Sequence, residues 1–274
     1  MIKVLSLFDG MSCGQIALDR LGIEVEAYHA SEIDKYAIQV AKANYPNTIH
    51  LGDVRDVTVR EHFDLIMFGS PCQGFSFSGN RLNFDDPRSK LFFEAVRILG
   101  QTRKINPDVK FLMENVRMKK ESIKIITDTL DVNPVAINSN LVSAQNRYRL
   151  YWTNLEVDGL PQDKGIKLKD IIEDSCITEP KILQYPRGVN KGGLKALNGK
   201  VPSLTSSSWQ TNNHLTMDEG LTYRKLTPLE CERLQTVPEG YTNHVSNTQR
   251  YKMLGNGWTI DVITHLLNEL ERKD

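Results

Sequence analysis

The sequence has few cysteines, and no two of them lie close together. The four, Cys13, Cys72, Cys176 and Cys231, are scattered over 274 residues. No CxxC pair and no Cys/His cluster with zinc spacing occurs, so we expect no metal site. Scattered cysteines in a chain of this size also do not make a disulfide framework, which favours a reducing compartment.

Long apolar runs and an excess charge of either sign are also missing. No run approaches the roughly 18 residues that a membrane span needs, so we expect no membrane partner. The 34 basic and 34 acidic residues cancel. Between Lys181 and Asn213, however, the sequence contains basic residues and no Asp or Glu. Such a stretch can bind a polyanion, or it can be a solvated loop that happens to be basic.

Strand and helix patterns alternate over the first 155 residues. Strand patterns occur at 4–8, 25–31, 49–51, 64–68 and 109–113, and helix patterns at 15–21, 35–44 and 90–103. This rhythm predicts an α/β fold with a mostly parallel sheet and helices on both faces. Two later strand patterns, 134–142 and 149–155, are expected to pair as an antiparallel unit.

The alternation is lost from about 156 to 222, where Gly, Pro, Asn, Ser and Lys are frequent. That composition predicts a small, separate lobe of loops and short strands. Thr227 and Pro228 then suit the N-cap and first residue of a helix. Apolar spacing over 259–272 predicts a last helix. We therefore expect a first domain of residues 1–155, a small domain of 156–240, and a segment 241–274 that returns to the first domain.

Two strand patterns end in chemically capable side chains. The run from Asp64 ends at Gly69, and Ser-Pro then leads to Cys72; the run from Val109 leads to Glu114. A thiol and a carboxyl group at strand ends suggest covalent catalysis with acid assistance. A small buried hydrophobe for Cys72 and a capping or ion-paired role for Glu114 are the plainer alternatives.

Three further strand ends favour an adenosine-containing cofactor. Asp9 and Gly10 follow the first strand pattern, Glu32 the second and Asp53 the third. Glycine admits a ligand to the backbone, and an acid after the second strand can accept ribose hydroxyls. A plain turn, a helix cap or a lysine partner would explain each one alone. The absence of a GxxxxGK[ST] loop argues against ATP.

In order, these motifs resemble those of the cytosine-C5 DNA methyltransferase family. The resemblance covers the chain apart from 156–222. The matching segments are Phe8-Asp-Gly-Met-Ser-Cys-Gly14, Glu32, Asp53, Gly69-Ser-Pro-Cys-Gln73, Glu114-Asn-Val116, Gln145-Asn-Arg-Tyr-Arg149, Arg224-Lys-Leu-Thr-Pro-Leu-Glu230, Arg233-Leu-Gln235 and Gly255-Asn-Gly257. The first segment departs from the common Phe-x-Gly-x-Gly, which affects which backbone amides meet the cofactor.

The resemblance implies a Rossmann-like catalytic domain, a small target-recognition domain and S-adenosylmethionine as cofactor, with S-adenosylhomocysteine as product. The substrate it implies is a cytosine rotated out of double-stranded DNA. Cys72 would add to C6, Glu114 would hold a proton at N3, and Arg149 would donate to O2. Because Arg147 and Arg149 are two residues apart, one strand would point both towards the active site. Arg147 would then position Glu114 or a phosphate.

The remaining site residues are also implied by the resemblance. Those for the cofactor are Phe8, Asp9, Gly10, Gly14, Glu32, Ile33, Asp53, Val54, Ser70, Pro71, Leu91, Asn256 and Trp258. Those for DNA are Gln73, Ser76, Arg81, Arg187, Lys191, Thr205, Trp209 and Gln210. Trp209 and Gln210, which could read base edges, could as easily be ordinary surface polar residues.

Two other functions remain open at the level of sequence. One is an RNA methyltransferase of similar architecture, since one branch of the family modifies tRNA. The other is an inactive homologue that only binds DNA or a partner, which the presence of Cys72, Glu114, Arg147 and Arg149 disfavours. The compact length resembles that of bacterial and phage members. We therefore expect a cytoplasmic monomer, accompanied by a cognate restriction endonuclease.

Overall fold

The computed structural model describes residues 1–71, 90–174, 179–186, 190–195, 198–207, 212–216 and 222–272. Contacts divide the chain into two compact units. The first unit comprises Met1–Ile137, Tyr148–Gly159 and Thr264–Asp274, and the second comprises Asn138–Arg147 and Leu160–Ile263. Each unit is therefore assembled from separate segments of chain. The assignment of functional domains stays a prediction.

A seven-stranded sheet forms the centre of the first unit, in the order β3-β2-β1-β4-β5-β8-β6. Its strands are β1 Ile2–Leu7, β2 Val25–Ser31, β3 Ile49–His50, β4 Leu65–Phe68, β5 Lys110–Val116, β6 Val135–Asn138 and β8 Tyr148–Thr153. Neighbours from β3 to β5 run parallel, and β8 runs antiparallel to β5. The predicted α/β class with a mostly parallel sheet is confirmed.

Helices connect the parallel strands, as the alternating pattern predicts. They are α1 Cys13–Arg20, α2 Lys35–Asn44, α3 Leu91–Ile105 and α4 Lys120–Leu130, with a 3₁₀ turn at Val54–Asp56. Asp34 caps α2 by accepting from the amides of Tyr36 and Ala37. Apolar residues predominate in β1, β4 and β5, as expected where helices cover both faces of a sheet. Leu5, Phe68 and Phe111 accordingly are fully buried in one hydrophobic cluster.

The second unit contains short strands and three helices within its described residues. Strands β9 Lys181–Gln184, β10 Gly193–Lys195, β12 His214–Thr216 and β13 Tyr223–Lys225 form an antiparallel sheet, and β7 Gln145–Asn146 pairs with β11 Val201–Pro202. The helices are α5 Pro228–Leu234, α6 Asn247–Asn256 and α7 Ile260–Leu267, which runs on into the first unit. Further 3₁₀ turns within the described residues are Ser139–Leu141 and Leu168–Asp170 in this unit and Asn268–Arg272 in the first unit.

Several predicted boundaries are wrong in instructive ways. The strand expected over 134–142 ends at Asn138, because a 3₁₀ turn capped by the Asn138 side chain follows. The last helix is α-helical only to Leu267. Helices α4 and α6 were not predicted, and α6 includes the first two residues of the matching segment Gly255-Asn-Gly257. The cap at Thr227 with Pro228 in first position is confirmed.

Candidate active site at the carboxyl edge of the parallel sheet

Strands β1, β2 and β4 of the first unit end at the same level of the sheet, and β5 continues past this level to Val116. Leu7 pairs with both Ser31 and Phe68, and Phe68 pairs with Met113. The residues that come next are Phe8, Glu32, Gly69 and Glu114. Since the carboxyl ends of parallel strands share one edge, and ligands of open α/β sheets bind there, side chains from separate motifs meet in one region.

The first loop, Phe8–Ser12, joins β1 to α1 in a left-handed conformation. Phe8, Gly10 and Ser12 have φ angles of 56°, 59° and 63°. For a non-glycine residue this conformation costs about 1–2 kcal/mol, whereas glycine adopts it freely. A Cβ on Gly10 would meet nothing within 4 Å, so the backbone there is open to a ligand. Hydrogen bonds must offset the strain at Phe8 and Ser12.

The Asp9 carboxylate supplies two of those hydrogen bonds. The residue is only 8% exposed. One carboxylate oxygen accepts from the Tyr28 hydroxyl at 2.9 Å, and the other accepts from the Ser12 hydroxyl. Burial raises the pKa of Asp9 to about 6, although hydrogen bonds from Ser12, Ser6 and Tyr28 oppose the rise. The carboxylate that was predicted to bind the cofactor is therefore directed at protein hydroxyls.

The Glu32 carboxylate binds three backbone amides. One oxygen accepts from Gly10 N–H at 2.8 Å, and the other accepts from Ile33 and Asp34, each at 2.8 Å. A carboxylate has about four acceptor positions, so one more donor can be accommodated without rearrangement. Two ribose hydroxyls would require the bond to Gly10 to be given up.

The Asp53 carboxylate lies after β3 and pairs with Arg55. Arg55 donates to it through its backbone N–H and its Nε, both at 2.9 Å. These hydrogen bonds hold the pKa of Asp53 at about 2, so the carboxylate stays ionised. The neighbouring predicted residues differ in exposure, because Val54 is buried in the core while Ile33 is 72% exposed.

Gly14 places α1 close to the sheet. A Cβ at this position would lie 2.4 Å from Met67 Cε and 2.8 Å from the Tyr28 hydroxyl. Those separations are far below contact distance, so a larger residue would require the ends of the Met67 and Tyr28 side chains to move. This is the packing role that a glycine in a nucleotide-binding turn performs.

Beyond β4, the turn towards Cys72 is anchored to β5. Asn115 is buried, and its Nδ2 donates to Ser70 Oγ at 3.3 Å and approaches the Ser70 carbonyl at 3.5 Å. Ser70 is buried and Pro71 is partly exposed. Cys72, Gln73, Ser76 and Arg81 lie outside the described residues. Leu91, at the start of α3, packs against the core cluster.

Glu114 and Arg149 form a mostly buried ion pair. Glu114 Oε1 lies 2.8 Å from Arg149 Nε, and the two side chains are 12% and 14% exposed. The distance is that of a contact ion pair, but the Nε–H is not directed at a hydrogen-bond acceptor. The two charges attract each other, and Arg149 Nε is enclosed by protein. Arg149 also donates from Nη1 to the Tyr148 carbonyl at 2.9 Å.

Arg147 and Arg149 do not share a strand, and that prediction is wrong. The ladder breaks at Arg147, which lies between β7 and β8, so the two side chains serve different surroundings. Arg147 is 3% exposed in the second unit. Its terminal nitrogens donate to the carbonyls of Leu204 at 2.8 Å, Gly255 at 3.2 Å and Gly257 at 2.9 Å. Arg147 therefore holds two separate stretches of backbone together, one at Leu204 and the other at 255–257.

Other predicted residues of the second unit lie on its surface. Lys191, Thr205 and Asn256 are exposed, and Trp258 is partly exposed. Arg187, Trp209 and Gln210 lie outside the described residues. Gly255, which precedes Asn256, packs directly on the backbone of Thr205, since a Cβ there would lie 2.2 Å from the Thr205 carbonyl carbon.

Three buried polar residues that support these positions were missed. Asn115 and Gln235 belong to two of the segments that match the family, Glu114-Asn-Val116 and Arg233-Leu-Gln235, but no role was predicted for either side chain. Tyr28 lies in a predicted strand, and nothing in the sequence marked it as part of the site. Gln235 Nε2 donates to the carbonyls of Leu254 at 2.6 Å and Gly257 at 3.2 Å. A polar residue inside an otherwise apolar pattern is the one signal that marks such groups.

The described residues contain no cluster of three or more His, Cys, Asp or Glu side chains placed to hold a metal ion. Among the same residues, no helix has the length and apolar character required to cross a membrane.

A parallel sheet with this edge defines a Rossmann-like α/β domain. Solved structures share the fold: an Entamoeba histolytica methyltransferase, EhMeth, with a TM-score of 0.76 and 17% identity, and the S. pombe Dnmt2 methyltransferase, with 0.73 and 19%. Each comparison covers 98% of both chains. A putative DNA modification methyltransferase from an E. coli prophage has a TM-score of 0.70 and 18% identity over 99% of both chains.

A family model described as C-5 cytosine-specific DNA methylase matches residues 2–272, and the chain belongs to this family. It is 28% identical over 306 residues to Type II methyltransferase M.NlaX of Neisseria lactamica, covering 99% of this chain and 96% of that protein. It is 26% identical over 314 residues to Type II methyltransferase M.HhaI of Haemophilus parahaemolyticus, covering 97% and 93%. The predicted family is confirmed.

Proposed function

We propose that this chain transfers a methyl group from S-adenosylmethionine to C5 of a cytosine in double-stranded DNA. The observation that carries the proposal is the Glu114–Arg149 pair, 2.8 Å apart beside the strand end that leads to Cys72. A carboxyl group that shares a proton with ring N3, and a neighbouring guanidinium that donates to O2, would match one edge of cytosine.

In this proposal Cys72 is the nucleophile. Its thiolate adds to C6, the C5=C6 double bond opens, and Glu114 neutralises the charge that develops at N3 by holding a proton there. C5 is then nucleophilic enough to accept a methyl group. Loss of the C5 proton to a base in the site restores the double bond and expels the thiolate. Thiolate is suited to both roles, whereas a serine alkoxide would be a poor leaving group.

The cofactor residues of the first unit fit S-adenosylmethionine. Glu32 has acceptor capacity for a ribose hydroxyl, and the ionised Asp53 can accept from an adenine amino group. Open space beside Gly10 admits the ligand to the backbone of the first loop. When bound, the cofactor supplies a methyl group that its sulfonium charge makes electrophilic. The residues present are therefore compatible with it.

The target cytosine must leave the stack before Cys72 reaches C6, because the neighbouring bases cover the ring faces from which a thiolate can add. We propose that the second unit contributes to holding the DNA. The described residues of strands β9, β10, β12 and β13 include no acid, and they carry Lys181, Lys195, Arg224 and Lys225. The hydroxyls of Tyr185, which follows β9, and of Tyr223 in β13 lie 2.7 Å apart, and the two residues are 42% and 50% exposed.

The test is methylation by the purified chain with labelled S-adenosylmethionine, offered mixed-sequence duplex DNA and tRNA side by side. We expect label at C5 of cytosine in DNA, and none with Cys72→Ser. Duplex containing 5-fluorocytosine, which blocks loss of the C5 substituent, should trap a covalent complex in the wild type only. Label in tRNA alone would replace the DNA proposal with an RNA one. A monomeric state and a partner restriction endonuclease stay predictions.

A further inference from the structure

The first loop, Phe8–Ser12, depends on a single buried carboxylate. Asp9 stands between two left-handed non-glycine residues, Phe8 and Ser12. Its oxygens accept from Ser12 within the loop and from Tyr28 on the neighbouring strand β2. Ser12 is the N-cap residue of α1, yet its side chain makes no capping hydrogen bond, because the hydroxyl is turned to Asp9.

The backbone of the same loop is held at two more points. Asp9 N–H donates to the Ser31 carbonyl at 3.1 Å, and Gly10 N–H donates to Glu32 at 2.8 Å. The Gly10 contact is one that a bound cofactor would compete for, since Glu32 is a proposed ribose acceptor. Once Glu32 turns to the cofactor, the Asp9 carboxylate carries a larger share of the loop's support.

We propose that Asp9 is a positioning residue whose ionised carboxylate keeps the first loop in the conformation that receives the cofactor. The inference rests on the proposed function and adds a pH-dependent element to it. With both oxygens engaged by protein hydroxyls, Asp9 acts through Ser12 and Tyr28 and leaves contact with the cofactor to the loop backbone.

Electrostatics make this support sensitive to pH. Desolvation raises the pKa of Asp9 from 3.8 to about 6, hydrogen bonds from Ser12, Ser6 and Tyr28 lower it, and the charge of Glu32 adds to the rise. Burial likewise raises the pKa of Tyr28, with contributions from Asp9 and Cys13, so Tyr28 remains a donor. Below about pH 6 the carboxyl carries a proton at one oxygen, so the Ser12 or Tyr28 hydroxyl that faces this oxygen can no longer donate to it and must turn to accept instead.

Ionisation of Asp9 supports the first loop but lowers the stability of the fold as a whole. The pKa of Asp9 is higher in the folded state than the ordinary value, so its contribution to stability is present below that ordinary value and is lost as pH rises through about 6. At pH 8 the buried charge destabilises the fold. Asp9→Asn, which introduces an amide of the same shape, should therefore leave the stability of the fold equal or higher and weaken the hydrogen bonds that hold the first loop. If Asp9 were needed only for packing, its replacement would lower the stability of the protein and its affinity for the cofactor together.

The experiment compares wild type, Asp9→Asn and Tyr28→Phe in the full chain between pH 5.5 and 8.5. Asp19→Asn is the matched control, because Asp19 also accepts from a tyrosine, Tyr45 at 2.6 Å, but on the exposed end of α1. Cofactor affinity is measured by calorimetry with S-adenosylmethionine. Hydrogen exchange of the amides of residues 8–14 is followed without cofactor, and Tm is recorded at each pH.

We expect Asp9→Asn to raise the Kd at pH 8 at least tenfold, to speed exchange in the first loop and to leave Tm equal or higher. Wild-type affinity should fall as pH drops through about 6, and the variant should lack that transition. Tyr28→Phe should shift Kd and exchange in the same direction. Failure of the wild type to bind would refute the proposed function and this inference with it. Unchanged affinity and exchange in Asp9→Asn, with normal wild-type binding, would refute the inference alone.

Discussion

Glu114 and Arg149 meet diagonally across two antiparallel strands. Glu114 of β5 pairs in register with Tyr151, and Arg149 of β8 pairs with Val116, which puts all four side chains on one face. The two charged groups approach to 2.8 Å and are largely excluded from water. An ion pair in such a setting is costly to break from one side only, because the remaining charge stays buried.

Glu114→Gln should lower the rate of methyl transfer and, because it leaves the buried Arg149 charge unpaired, should also destabilise the fold. The amide keeps the shape of the side chain but cannot hold a proton at N3, so we expect kcat to fall by about 10²–10⁴. Arg149→Met should in addition destabilise the fold by about 3–5 kcal/mol. The double variant Glu114→Gln/Arg149→Met should recover part of that loss. Single-turnover methylation and urea unfolding measure the two effects, and a Glu114→Gln enzyme with wild-type kcat would contradict the role.

Replacement of Glu32 by Gln should weaken cofactor binding about tenfold, equivalent to about 1.4 kcal/mol. The amide keeps one acceptor oxygen for three backbone N–H groups and a ribose hydroxyl, and its NH₂ opposes the donors. Glu26→Gln on the same strand is the control, because Glu26 is exposed and pairs only loosely with Lys3 at 3.5 Å. Calorimetric titration with S-adenosylmethionine distinguishes them, and equal affinities would count against Glu32.

The sequence identified the main strands because burial on both faces leaves a continuous apolar run, which is visible without any partner. Helix α4 was missed because only Ser122, Ile126 and Leu130 are buried, too few to stand out among its lysines. The position of Glu32 was predictable, but its three amide partners were not. Every residue except proline has a backbone N–H, so the sequence does not reveal which residues donate to Glu32 through their backbone.

The break between β7 and β8 could not be predicted for a related reason. Two arginines two residues apart suit a continuous strand, and the pattern alone offers no sign of a turn. The partners of Arg147 lie about 57–110 positions further along the chain. The carbonyls that draw its side chain away are known only from the tertiary structure.

Arg147→Lys should lower the stability of the second unit by about 3 kcal/mol. A guanidinium reaches three carbonyls at once, whereas an ammonium on a flexible chain cannot span them, and each hydrogen bond from a charged donor contributes about 1.5–3 kcal/mol. Arg60→Lys, at an exposed position, should leave the unfolding midpoint unchanged. Methylation per folded molecule should fall much less than in Glu114→Gln. A larger catalytic loss than that would restore Arg147 as a catalytic residue.

Alanine substitutions at two helical glycines should have opposite effects on stability, because one glycine is in close contact with backbone and the other faces open space. Gly255→Ala should destabilise by about 3 kcal/mol or more, because its Cβ would lie 2.2–2.4 Å from the backbone of Thr205 and Ser206. Gly100→Ala in α3 has nothing within 4 Å and should stabilise by about 0.5–1 kcal/mol. Thermal unfolding followed by circular dichroism gives both signs. A tolerated alanine at 255 would mean that the close approach to Thr205 is not required.

Lys191→Ala should reduce the salt dependence of DNA binding. If Lys191 contacts a phosphate, the slope of log K against log salt falls by about one while sequence preference is kept. Lys124→Ala serves as the control, since Lys124 is 74% exposed on α4 and already pairs with Asp128. Fluorescence anisotropy at several salt concentrations measures the slopes. Identical slopes for the two variants would remove Lys191 from the DNA surface.

The chain leaves and re-enters the first unit, since Tyr148–Gly159 and Thr264–Asp274 belong to it while the residues around them do not. A truncation before Asn138 would remove β8, which pairs with β5, and would leave β5 as an exposed edge strand. Exposed edge strands promote aggregation because their unpaired backbone groups can pair with another chain. Anyone building chimaeras with altered sequence preference should therefore transplant an internal insert, and keep both late segments of the recipient in place.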